Sequence, residues 1–299
     1  MAATDEIRMS FHAPLDGAGL LDYLGRRAVP GVEEVRDGGY TRSLRLAHGG
    51  GSVQLRPGAR DVRARFVLDD ERDLELAIER CRALLDLDAD PEAVIDALGG
   101  DPLLGSLVRA TPGRRVPGSV NGPELAVRAV LGQQISLAGA ATAAGRLVAI
   151  YGTPLCRPLG AVTHLFPSPE ALAAADPGSL RMPQTRAHCL IGLNASLATG
   201  ELVLDPAGDR ADTRRRLLAL PGIGPWTAEY VAMRALRDHD AFPAADLGIR
   251  HALERHGLDG RAAAAQRLAE SWRPYRAYAV LHLWAELAAA AAGARAGAG

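Results

Sequence analysis

The 299-residue sequence contains no lysine. Every basic side chain is arginine or histidine, so chemistry that needs a lysine nucleophile or a lysine Schiff base is excluded for this chain. Cysteine is sparse. Cys81, Cys156 and Cys189 are scattered and odd in number, which suits neither a disulfide framework nor the four thiolates of an iron–sulfur cluster. Each reads as a small buried hydrophobe in a reducing compartment. No apolar run reaches the ~18 residues of a membrane span. The opening stretch MAATDEIRMS has no signal-peptide hydrophobic segment,. The eight histidines show no metal-ligand spacing,. Aromatic residues make up only 4%, and the three tryptophans all lie after residue 225.

What is present is apolar and unevenly charged. Hydrophobic residues make up 48% of the chain, enough for a substantial core,. The net charge of −1 argues against a nucleic-acid partner until its distribution is considered. Residues 1–112 carry 14 Arg against 20 acidic residues, and residues 113–299 carry 20 Arg against 15. A basic C-terminal part suits an anionic partner.

Period-two alternation at 43–46, 52–55 and 62–68 predicts strands, with a turn at Gly49-Gly50-Gly51. Residues 20–27 and 73–85 read as helices. Residues 1–112 are therefore expected to form an α+β domain with an antiparallel sheet. From Pro91 onward strand patterns stop, and 121–287 reads as almost wholly helical. Pro123 suits a first helical turn and Ser136 an N-cap. Further helices are expected at 168–175, 185–198, 213–220, 225–237, 247–256 and 274–288. The alanine- and glycine-rich tail, 289–299, is expected to be disordered.

Leu220-Pro221-Gly222-Ile223-Gly224-Pro225-Trp226-Thr227-Ala228 is the strongest local signal. Two glycines around an apolar residue, between two helices, let backbone N–H groups approach a phosphate. The second helix begins there, and its N-terminus favours an anion. An ordinary tight turn between helices is the plainer alternative for the glycines alone. Trp226 and Tyr230 share a helix face, and Trp272 and Tyr275 flank Pro274. Such rings suit the stacking of a flipped base, electron-poor when alkylated. Core packing accounts for Trp284. Asp246, 22 residues after Gly224, reads as the N-cap of the next helix, where the dipole keeps it ionised and able to stabilise a cationic transition state.

The stretch LPGIGPWTAEYVAMRAL…DAFPAADLGIR resembles the helix–hairpin–helix glycosylases of the 3-methyladenine DNA glycosylase II (AlkA) type. The resemblance extends to AVRAVLGQQISLAGAATAAGRL, FPSPEALAAADPGSLRMPQTRA and SWRPYRAYAVLHLW, and to the N-terminal PLDGAGLLDYLGRRAVPGVEEV. It implies an α+β accessory domain (1–112) followed by a two-lobed helical region (113–288) with the site between the lobes. It implies Asp246 as the catalytic carboxylate and Tyr23, Trp226 and Tyr230 in the base pocket with Trp272 and Tyr275. Gln133, Pro221, Gly222, Ile223, Gly224 and Thr227 would meet DNA, with Gln134 as the wedge in the stack. The carbonyls of Leu218, Leu220 and Ile223 would hold a structural Na+ or K+, with no other cofactor. Two positions depart from the family: Gln134 is polar where an apolar wedge is also seen, and Tyr275 stands where tryptophan is usual. Trp226 occupies the place of the lysine in bifunctional relatives.

These features predict a monomeric, cytoplasmic, nucleoid-associated bacterial enzyme. It would hydrolyse the glycosidic bond of alkylated bases in double-stranded DNA without cutting the strand. The alternatives at this point are a glycosylase of the same superfamily for oxidised or mismatched bases, a non-catalytic DNA-binding module, and a protein unrelated to DNA.

Overall fold

The computed structural model describes residues 6–296; residues 1–5 and the last three residues of the tail lie outside it. β1 (Ile7–Ser10) and α1 (Gly17–Gly25) come first, then β2 (Glu33–Arg36), β3 (Gly39–Arg45), β4 (Gly50–Pro57) and β5 (Asp61–Leu68). The strands form one antiparallel sheet in the order β1-β5-β4-β3-β2. The alternation in 62–68 sets the face of β5: Val62, Ala64, Phe66 and Leu68 are buried, and Arg63 and Arg65 are exposed,. The turn falls slightly before the expected glycine triplet, because Gly50 and Gly51 are already paired in β4. α2 (Leu74–Leu85) buries Ala77, Cys81, Leu84 and Leu85 in the same core as the sheet. α3 (Pro91–Leu98) and α4 (Gly105–Ala110) complete this part.

α5 (Gly122–Leu131) starts under an Asn121 cap, with Oδ1 accepting from the Glu124 N–H at 2.9 Å. α6 (Leu137–Tyr151) starts under Ser136, whose Oγ accepts from the Gly139 N–H at 3.1 Å. The expectation of continuous helix then fails. β6 (Thr153–Leu159) and β7 (Val162–Leu165) form a two-stranded hairpin. Pro154 and Pro158 bar a helix interior, and Gly160 at φ +61° makes the turn. The hairpin is held by docking on the N-terminal sheet, β7 against β3 and β6 against β4. The Thr163 and His164 N–H groups donate to Gly31 O at 2.8 and 2.9 Å, and Arg45 Nη2 donates to Phe166 O at 2.9 Å. A two-stranded ribbon is marginal alone. Cys156, expected to be buried, is exposed on β6, whereas Cys81 and Cys189 are buried.

α7 (Pro169–Ala173), α8 (Gln184–Ala198), α9 (Arg210–Ala219), α10 (Pro225–Arg234), α11 (Leu247–Arg255), α12 (Ala262–Leu268) and α13 (Arg276–Ala296) follow. α13 overturns the expected disorder of residues 289–296. It extends a helix already anchored by Tyr278, Val280 and Leu283 through residues that are mostly alanine, the strongest helix former. No helix among the described residues is long and apolar enough to cross a membrane.

Two main cores organise the molecule. One unites the N-terminal sheet and α2 with Met233, Phe242, Trp272 and the α13 residues Tyr278 and Leu283. The other is built from α5, α6, α8 and α9, and contains Ile223 and Val231. α10 lies between them: Ala228 and Val231 belong to the second core, Ala232 and Met233 to the first, and Tyr230 packs against both. The last helices therefore share a core with the N-terminal sheet rather than with the helices that precede them.

Candidate active site

The turn before α10 is shaped by two glycines with different tasks. α9 ends at Ala219, Leu220 is extended, and the Ile223 N–H returns to Leu220 O at 3.1 Å. Gly222 has φ +86°, and a Cβ there would lie 2.9 Å from Cys189 Cβ. Gly224 is the N-cap of α10, and a Cβ there would meet nothing within 4 Å. The buried Ile223 side chain anchors the turn. Pro221 and Gly222 are exposed, and Pro225 opens the helix. The first-turn N–H groups of α10 thus begin without a side-chain cap,.

The loop between α5 and α6 braces this turn. Gln133 Nε2 donates to Gly222 O at 3.1 Å and to Thr227 Oγ1 at 3.0 Å, while Arg186 Nη2 donates to Gln133 O at 2.7 Å. Thr227 is buried. Both side chains, expected at the DNA surface, hydrogen-bond within the protein and fix the loop to the turn. Gln134 is exposed with φ +57°, and beside it Ile135 and Leu137 are 40% and 46% exposed.

Asp246 caps α11 in extended backbone conformation. Its Oδ1 accepts from the Ile249 N–H at 3.0 Å and from Trp284 Nε1 at 2.8 Å, and its Oδ2 accepts from Trp226 Nε1 at 2.8 Å. Two indoles and a helix N-terminus therefore fix one carboxylate. Asp246 is half-buried, and the next residue, Leu247, is 63% exposed. Gly248 admits the second indole: a Cβ would fall 2.9 Å from Trp284 Cδ1 and 3.0 Å from Asp246 Oδ1.

The rings beside Asp246 are in contact with one another. Trp226 and Tyr230 stack at 5.3 Å between centroids and 12° between planes, and Tyr230 meets Trp284 at 6.4 Å. Tyr23 reaches the cluster from α1. Arg234 Nη1 donates to the hydroxyls of both Tyr23 and Tyr230 at 2.8 Å. Burial raises the Tyr23 phenol to about 12, against the charges of Arg234 and Arg27. Burial also acts to raise Tyr230, but Arg234 and Arg27 prevail and lower it to about 8.

The AlkA N-terminal domain model matches residues 6–121, and the model for the HhH-GPD superfamily of base excision DNA repair proteins matches residues 127–276. The chain belongs to the HhH-GPD superfamily. It is 52% identical over 286 residues to a Mycobacterium tuberculosis (strain H37Rv) protein named "Probable bifunctional transcriptional activator/DNA repair enzyme AlkA". The match covers 96% of this chain and 58% of that protein, so the chain spans little more than half of its relative. It is 36% identical over 283 residues to DNA-3-methyladenine glycosylase 2 of Escherichia coli K12, covering 92% and 95% of the two chains. In fold it is similar to the solved 3-methyladenine DNA-glycosylase of Archaeoglobus fulgidus, with a TM-score of 0.81, 23% identity and coverage of 94% and 97%.

In this HhH-GPD chain two tryptophans exchange the places expected of them. Trp272 is fully buried, donates Nε1 to Asp101 Oδ2 at 2.9 Å and meets Phe242 edge-on. It is a core residue, because the short turn that carries it packs inward. Trp284, read as core, holds Asp246. Tyr275 meets Tyr278 edge-on at 5.7 Å, and among the described residues no ring contact joins it to the Trp226–Tyr230 stack. The Arg214-Arg215-Arg216 run is paired internally: Arg214 with Glu229 at 2.8 Å and Asp238 at 2.5 Å, the other two with Asp212. Sequence reasoning also passed over Arg27, Arg234 and Gly248. Trp284, 38 positions from Asp246, shares no local motif with it; only the fold brings them together.

Proposed function

We propose that the chain is a monofunctional DNA glycosylase that hydrolyses the N-glycosidic bond of alkylated, 3-methyladenine-like bases in duplex DNA, for base excision repair. The observation that carries this reading is the Asp246 carboxylate, pinned by two indole N–H groups and a backbone N–H beside stacked aromatic rings. The name of the E. coli relative supports the substrate class.

The roles follow from the geometry. The glycine turn and the start of α10 present N–H groups to a backbone phosphate. The exposed loop at Gln134 fills the gap left by the extruded nucleotide, whose unstacking costs a few kcal/mol and least for a weakly paired lesion. The base stacks against the outer faces of the aromatic cluster, since Trp226 and Tyr230 already touch. As the C1′–N bond lengthens, positive charge builds on the sugar, and the fixed carboxylate stabilises it without having to reorganise. A carboxylate accepts at about four sites; three are taken, and Oδ2 retains one for the sugar or the attacking water. An alkylated purine is cationic and leaves readily, so little general-acid power is needed. The chain offers no lysine for a Schiff base, and Trp226 faces Asp246 instead. The products are a free base and an uncut abasic strand. The enzyme acts as a monomer.

The carbonyls of Leu218, Leu220 and Ile223 would hold a monovalent cation. Leu218 lies in the last turn of α9, where carbonyls lack intrahelical donors,. With Leu220 and Ile223 it supplies neutral oxygens of the kind a hard cation takes. Such an ion would add positive charge beside the phosphate.

The test is chromatographic measurement of bases released from methylated duplex DNA. The wild-type protein should release alkylated purines and leave the strand intact, and Asp246→Asn should release at most about a thousandth as fast, in line with the loss of a preorganised charge. Undiminished release by that variant, or strand cutting by the wild-type protein without alkali, would overturn the proposal.

A further inference from the structure

Two guanidinium groups border the aromatic cluster, and their hydrogen bonds run to neutral oxygens. Arg234 donates to Pro117 O, to Gly118 O at 3.0 Å and to the Tyr23 and Tyr230 hydroxyls. Arg27 donates to Tyr23 O at 3.2 Å, and its guanidinium lies 3.7 Å from the Tyr23 ring centroid and 5.9 Å from that of Trp284. The nearby carboxylates of Glu33 and Glu124 are already taken by Arg42 and Arg128. Asp246, the carboxylate that touches the aromatic cluster, is held by Trp226, Trp284 and Ile249. The guanidinium groups of Arg234 and Arg27 therefore place positive charge at the cluster. Arg234 is buried and fixed. Arg27, only partly buried, has its guanidinium over the Tyr23 ring.

This charge has opposite consequences for two kinds of lesion. When the C1′–N bond of a neutral lesion breaks, the electron pair stays on the base, which departs as an anion. The water oxygen bonds to C1′ and the water proton ends on the base, so a neutral base and a neutral abasic sugar result. Guanidinium N–H donors already in place stabilise that anion. An N-alkylated purine is cationic when bound and neutral when it leaves. It gains nothing from the guanidinium and meets a like charge.

We propose that Arg27 is a specificity-determining residue: its guanidinium, backed by Arg234, supports departure of neutral lesion bases carrying oxygen or nitrogen acceptors and disfavours permanently cationic ones. This rests on the glycosylase reading above.

The experiment is single-turnover excision from two duplexes, one with a neutral 6-oxopurine (hypoxanthine) and one with 7-methylguanine. It compares the wild-type protein with Arg27→Gln and Arg27→Lys, with affinity for an abasic-site duplex and circular dichroism as controls for folding. Arg27→Gln should lower the ratio of hypoxanthine release to 7-methylguanine release by about tenfold or more, while Arg27→Lys, which keeps the charge, should recover part of that ratio. Equal slowing of both substrates, a loss confined to 7-methylguanine, or no change in either would overturn the role of Arg27 and leave the glycosylase reading standing. Failure of the wild-type protein to release either base would bring down both.

Discussion

Asp246 performs two tasks with one side chain. Oδ1 satisfies an orphan N–H at the start of α11, and the same carboxylate is aimed at the site by Trp226 and Trp284. The tasks can be separated, because asparagine caps helices about as well as aspartate. Asp246→Asn should therefore keep the cap but set its Nδ2 against the Trp226 Nε1–H, costing about 1–3 kcal/mol while excision is lost, which thermal melting alongside the release assay will show. Gly248→Ala tests the seating of the second indole. Alanine would favour the helix by about 1 kcal/mol, but its Cβ would press on Trp284 and on Oδ1. Excision should fall by roughly tenfold or more, as expected when a supporting shell shifts a reactive group by a fraction of an ångström, with a melting temperature within a few degrees of wild type. A variant with full activity would show that the Trp284 contact does not position the carboxylate.

At the level of elements, the site depends on where helices begin. α10 and α11 start at Pro225 and Leu247, under Gly224 and Asp246, and a loop from another part of the chain braces the first start through Gln133. Gly222→Ala should strain the turn, because its φ of +86° suits glycine and the new Cβ would meet Cys189. A loss of about 1–3 kcal/mol is expected, with weaker duplex binding. The slope of log affinity against log salt should become shallower by about 1, as for one lost phosphate contact. These starts were legible because caps and Leu-Pro-Gly punctuation are local signals. The β6–β7 hairpin was not: its prolines and short strands carry no strand periodicity, and it is held by a sheet about a hundred residues earlier in the chain. Likewise, tryptophan spacing could not tell Trp272 from Trp284, since turn and helix direction decide which indole reaches Asp246. The engagement of Gln133 and Thr227 within the protein was equally invisible, as polar residues in a turn look alike whether they face solvent or a neighbouring loop.

Across the whole molecule, a buried charge network joins the N-terminal sheet to α5. Arg42 pairs with Glu33 at 3.2 Å and Glu124 at 2.7 Å, and Arg128 pairs with the same two acids at 3.0 and 2.9 Å. Burial would raise the Glu33 carboxyl, yet Arg128 and Arg42 bring it from 4.5 down to about 2. His282 moves from 6.5 to about 3, through burial first and Arg114 second. In both groups the folded value lies below the unfolded one, so stability is retained above the unfolded value and lost as pH falls towards the folded one. Urea midpoints should therefore begin to drop below about pH 6.5, where His282 contributes about 1.4 kcal/mol per pH unit, and drop more steeply below about 4.5, where Glu33 joins it. His282→Gln should flatten the first segment. Glu33→Gln should flatten the second, and it should also cost several kcal/mol at pH 7 by leaving Arg42 and Arg128 short of a partner.

α1 contributes Tyr23, and the turn after it Arg27, to the aromatic cluster, although both belong to the stretch matched by the AlkA N-terminal domain model and the carboxylate belongs to the HhH-GPD stretch. On the roles proposed above, substrate range would be inherited through two segments of the gene. Recombination that replaced only the first 121 residues would then carry a new base preference to an unchanged carboxylate, and on the proposed function two chains identical from α5 onward need not act on the same lesions.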